Sequence, residues 1–127
     1  MVRTVLGVIA CVVVWLVVVT VIDRTMRAFW PDYAAVFAAM TFTLPMMLAR
    51  LAESTVALIV ASLVTIRIAP ASRIAPGALA ILMFAPFAWY HLTMIWEKFP
   101  VWYHAYFLLS LIVVPVLVGG MARGKAR

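Results

Sequence analysis

Residues 44–55 read LPMMLARLAEST. This is one of the most apolar parts of an apolar chain, yet it holds Arg50 and Glu53 one helical turn apart. Ionisable groups are costly in hydrocarbon, and those found there face a bundle interior or a cavity. If the stretch is a solvated turn, the charges cost nothing. If it belongs to a continuous helix, two charged side chains lie at membrane depth.

Composition makes the second alternative a real one. The chain has 127 residues, 69% of them hydrophobic and 11% charged, and its mean hydropathy is +1.19. A soluble domain is roughly half apolar and roughly a quarter charged, so this chain lacks the polar surface to cover a globule in water. The bilayer is its expected solvent. No Gly/Ser-rich or low-complexity linker divides residues 1–127, so a single helical membrane domain is expected. The only cysteine, Cys11, excludes an internal disulfide and any multi-cysteine metal site. VIAC at residues 8–11 looks like a lipoprotein cleavage box, but the apolar run continues past it, and the segment reads as a retained anchor.

The net charge of +6 is spread over the ends of apolar runs, in DRTMR, RIAPASR and ARGKAR. That is the pattern of the positive-inside rule, and no nucleic-acid partner is expected.

Three apolar runs, residues 4–22, 77–96 and 101–122, each have roughly the 20 residues needed to cross the bilayer. Residues 33–68 are too long for one straight crossing and short for two. Five crossings place Arg50 and Glu53 in a tight turn and divide the basic residues three (Arg3, Arg50, Lys98) against seven. Four crossings, with the second helix at Leu44–Ile68, divide them six (Arg3, Arg67, Arg73, Arg123, Lys125, Arg127) against three (Arg24, Arg27, Lys98). Both put the C-terminal end in the cytoplasm. Pro45 suits the first turn of a helix, and ARLAEST has no Gly, Pro or Asn to make a sharp turn, so four are preferred. YAAVFAAMTFT then forms a short interfacial helix anchored by Trp30 and Tyr33.

On a helix starting near Pro45, Arg50, Glu53, Ser54, Ala57, Ala61 and Thr65 share an arc of roughly 120°. Small and polar side chains on one face allow close approach and hydrogen bonding between membrane helices. The simplest reading of Arg50 and Glu53 is that they satisfy each other at i and i+3. The sharper one has them bind a proton, an ion or a small solute. Around WEKFP the last two helices form a hairpin that sets His91 and His104 at one depth. Two histidines there can ligate haem b or contact a quinone; more simply, they are polar tips in an interfacial aromatic belt.

FWPDYAAVFAAMTFTLPMMLARLAES with KFPVWYHAYFLLSLIVVPVLVGG resembles a family of small four-span inner-membrane proteins of proteobacteria that carries no assigned activity. The resemblance implies four crossings and a bacterial inner membrane, and gives no residue a role. There is no G-x-S-x-G, P-loop, H-E-x-x-H or CxxC, and the only acids are Asp23, Asp32, Glu53 and Glu97, so catalysis is not expected. The leading expectation is a non-catalytic accessory or assembly subunit that associates with itself or with other membrane proteins through small-residue faces on the second helix and at Gly7 and Cys11. The alternatives are a small proton, ion or solute carrier using Glu53 and Arg50, and a haem b or quinone subunit using His91 and His104.

Overall fold

The computed structural model describes residues 2–69 and 74–124, and every regular element among them is a helix. Helix α1 is Val2–Phe29, α2 Pro31–Val36, α3 Leu44–Ile68, α4 Ala75–Thr93 and α5 Val101–Gly124, with a 3-10 turn at Trp96–Lys98. Helices α1, α3 and α5 are long and apolar enough to cross a membrane, and α4 is a shorter apolar helix. This is a helical membrane protein.

Helix α3 is unbroken from Leu44 to Ile68, with a proline in its first turn, so no turn forms at Arg50 and Glu53. A run of Ala, Arg, Leu and Glu has no reason to leave the helix where backbone groups must be satisfied internally. Helix α1 continues beyond residue 22 through Asp23, Arg24 and Arg27 to Phe29. An Asp23–Arg27 ion pair of 2.6 Å at i and i+4 supports that extra length. Pro31 disfavours helix at the residue before it and so separates α1 from α2.

Helix α2 is shorter than the expected segment of residues 33–43. It gives way to a turn closed by Met40 N–H donating to the Phe37 carbonyl, 3.3 Å. Met40 has φ 56°, in the left-handed region, where a side chain costs about 1–2 kcal/mol. That turn brings Phe37 and Phe42 back over the end of the bundle. Arg73, Lys125 and Arg127, part of the charge tally above, lie outside the described residues.

The four longer helices run alternately up and down. Gly7 near the start of α1 meets Thr65 near the end of α3, while Asp23 meets Arg50 at the opposite end. Helix α1 packs most extensively on α3, α5 packs on both α3 and α4, and α1 touches α4 only lightly. The small-residue face of α3 is the buried one, with Ala57, Ala61, Ser54, Ser62 and Thr65 all inside. Val5, Leu6, Ile9, Val13, Leu16 and Val17 of α1 point outward and suit contact with hydrocarbon.

The closest approach of α1 and α3 is at Gly7, where an added Cβ would sit 3.3 Å from the Ala69 Cβ and 3.5 Å from the Thr65 carbonyl oxygen. Thr65 donates its hydroxyl to the Gly7 carbonyl, 3.2 Å, and also lies 3.1 Å from its own helix's Ala61 carbonyl. The faces expected to receive partner subunits are therefore filled within the chain. Gly7→Ala should be tolerated after a shift of a few tenths of an ångström, whereas Gly7→Leu should force the helices apart and cost about 1–3 kcal/mol. Unfolding midpoints in mild detergent check this; equal midpoints for Gly7→Leu and the parent would show that the crossing is not tight.

Candidate functional site

A cavity of ≈ 430 Å³ opens at the α2 end of the bundle. Its walls come from the last turns of α1 (Asp23, Arg24, Arg27), the first half of α3 (Arg50, Glu53, Ser54), the end of α4 (Phe87, Tyr90, His91) and the start of α5 (Tyr103, Phe107). Phe37, Met40 and Phe99 close the top. A ladder of stacked rings makes this roof rigid: Tyr33 on Phe42 at 5.3 Å, Phe42 on Phe99 at 5.8 Å, and Phe99 on Tyr103 at 4.3 Å.

Arg50 does not pair with Glu53. Its Nη1 donates to the Tyr33 hydroxyl at 2.7 Å and lies 3.9 Å from Asp23 Oδ1, while Nε lies 3.4 Å from the Tyr103 hydroxyl. The guanidinium also sits over the Phe42 ring, 4.8 Å from its centroid. Two side chains at i and i+3 diverge around a helix, and the arginine stem is long enough to choose partners on other elements. Here it takes a carboxylate from α1 and hydroxyls from α2 and α5. Tyr33 donates to Asp23 at 3.2 Å while accepting from Arg50. Burial pushes the Tyr33 phenol up to about 12, so it keeps the proton that this bridge requires.

Glu53 is left over. It is 7% exposed, lines the cavity, and its Oε1 is buried with no hydrogen-bond partner. Trp15 Nε1 and Ser54 Oγ, on the same cavity, are likewise buried and unpaired. Buried polar atoms without partners are rare because each costs about 1–3 kcal/mol, and with Arg27 Nε four of them belong to residues that line this one cavity. Thr65, on the same helical face by sequence, lies at the other end of the bundle and serves the α1–α3 crossing instead.

His91 and His104 do meet, at the depth the hairpin register expects, with 2.8 Å between their Nδ1 atoms. They are not headgroup tips: His91 is 4% exposed and His104 is 1% exposed. The aromatic belt divides here, with Trp89, Trp96 and Trp102 outside and Phe99, Tyr103 and Phe107 inside. His91 stacks on Phe107 at 4.4 Å, and His104 stacks on Trp96 at 4.7 Å. Two imidazoles sharing an iron hold their nitrogens about 4 Å apart, one on each side. These bond to each other directly, and His104 Nε2 is engaged with the Trp96 carbonyl at 3.1 Å, so the pair offers no second free nitrogen for bis-histidine haem. Among the described residues no group of three or more His, Cys, Asp or Glu side chains could hold a metal ion.

The sequence pattern marks neither Asp23 nor Trp15 as functional, and it places Tyr33 and Tyr103 among interfacial aromatics; both tyrosines are instead buried and bonded to Arg50. One signal for Asp23 was present, its spacing to Arg27. The whole is a helical membrane protein with a cavity of mixed polar and aromatic lining at one end. Comparison with protein families, curated proteins and solved structures finds no match to this chain.

Tyr33 bridges a cation and an anion, so its hydroxyl and Arg50 should be energetically coupled. Tyr33→Phe and Arg50→Met should each cost about 1–3 kcal/mol, and the double variant less than their sum by about 1 kcal/mol. A double-mutant cycle in detergent measures this; strictly additive losses would mean that the bridge carries no energy.

Proposed function

We propose that this chain is a multi-pass inner-membrane carrier that binds a small solute in the cavity, with Glu53 as its proton-binding carboxylate. The observation that carries the reading is the Glu53 Oε1, buried and unpaired on a residue of the cavity wall, while Arg50 Nη1 and Nε turn to Asp23, Tyr33 and Tyr103. A carboxylate that served packing alone would be expected to close on the arginine one turn away. Arg50 is here a fixed charge, tied to Asp23 and to two tyrosines, that positions the cavity wall. A carboxyl group at membrane depth can exist neutral or charged, and a solute or ion that favours one form gains from the exchange. The accessory-subunit reading is weaker because the small-residue faces that motivated it pack within the chain.

The six-to-three bias of Lys and Arg supports cytoplasmic placement of the start of α1 and the end of α5. The cavity then lies toward the opposite face.

In reconstituted vesicles carrying an internal pH dye, solutes that use the site should move protons. Glu53→Gln, which keeps shape and removes the charge, should reduce that flux by about tenfold or more, the equivalent of about 1.4 kcal/mol. Its unfolding midpoint should stay near that of the parent. Undiminished flux in a folded Glu53→Gln protein would end this assignment.

A further inference from the structure

The hydrogen bonds of the histidine pair determine which atom of His91 faces the cavity as an acceptor. A carbonyl oxygen only accepts, so the 3.1 Å contact with the Trp96 carbonyl requires a hydrogen on His104 Nε2. Neutral His104 then has a bare Nδ1. The 2.8 Å bond between the two Nδ1 atoms therefore takes its hydrogen from His91. Neutral His91 is left with a lone pair on Nε2, which makes no hydrogen bond within the described protein although the ring lines the cavity. His104 is thus a positioning residue that holds the tautomer of His91.

The same cavity holds a second unpaired acceptor, Glu53 Oε1, on α3. The wall they share the cavity with is aromatic: Phe87 meets Trp15 at 5.0 Å and Phe107 at 5.5 Å, edge to face. Exposed Thr20, Arg24 and Tyr90 form the rim between α1 and α4, the pair of helices that touch only lightly. A ligand entering there comes from the lipid side. Ammonium groups also donate hydrogen bonds, but Arg24, Arg27 and Arg50 all line the cavity, and Asp23 is already held by Arg27 and Tyr33. A neutral donor meets no such repulsion.

We propose that the cavity takes a lipid-soluble molecule of the hydroquinone class, with its ring against the aromatic wall and an O–H donated to Nε2 of His91. This rests on the reading of the cavity as a ligand site and adds the chemical class of the ligand. No electron transfer is involved.

The test titrates the purified protein in detergent, without oxygen, with a short-chain hydroquinone and with its dimethyl ether, which has the same ring and no donor. Calorimetry should show saturable binding of the hydroquinone and binding of the ether weaker by about tenfold or more. His91→Phe, which keeps the ring stacked on Phe107, should reduce the hydroquinone to the level of the ether. Nitrogen NMR of the histidines in the unaltered protein should show His91 protonated at Nδ1 and His104 at Nε2, a readout that does not depend on the variant folding. Equal binding of hydroquinone and ether, no binding of hydroquinone, or a His91 protonated at Nε2 would overturn the proposal. Equal binding together with flux that still needs Glu53 would remove only the ligand class and leave the carrier reading in place.

Discussion

A guanidinium at membrane depth has to be satisfied by the protein, and the way this chain does so organises the rest of the molecule. Arg50 lies about 9 Å inside the start of α3 by the helical rise and remains charged under all ordinary conditions. Its partners come from three other elements: Asp23 of α1, Tyr33 of α2 and Tyr103 of α5. One side chain thereby joins four helices at one end of the bundle. The extra length of α1 beyond the apolar run has a physical use, since it delivers Asp23 to the level of Arg50. The left-handed turn at Met40 is consistent with the same demand, because the chain must return from α2 and lay Phe42 against the guanidinium.

Satisfying Arg50 in this way leaves Oε1 of Glu53 without a hydrogen-bond partner, and chemistry follows from that asymmetry. Had the two closed on each other, the end of the bundle would hold a neutral pair and little else. Instead a buried carboxylate oxygen, an indole N–H and a serine hydroxyl face a common space. The aromatic ladder from Tyr33 to Tyr103 keeps that space roofed while its side between α1 and α4 stays lightly packed. At the other end the priorities reverse. Gly7, Ala61, Thr65 and Ala69 allow two backbones to approach closely.

The histidine pair illustrates how far a register argument reaches. Equal depth on the two arms of a hairpin was enough to bring His91 and His104 together. It said nothing of whether an iron, a proton or only a hydrogen bond lies between them. That depends on the Trp96 carbonyl, which the 3-10 turn presents to His104 Nε2. A backbone carbonyl is invisible to residue-type reasoning, because every residue has one.

The sequence by itself determined the apolar surroundings of this protein, its long helices and the face that α3 buries. Length of apolar runs, Pro45 at a helix start and the clustering of small residues on α3 act locally or through simple periodicity, and they are legible along one dimension. The shared depth of Arg50 and Glu53 within one helix was legible for the same reason. Only the tertiary structure decided the partners of Arg50, the isolation of Glu53 and the burial of both histidines. A long flexible side chain selects its partner among all groups within reach, and most of those lie on elements distant in sequence. The helical pattern sets which way Arg50 leaves its own helix, but the packing of α1, α2 and α5 around it sets what it finds there.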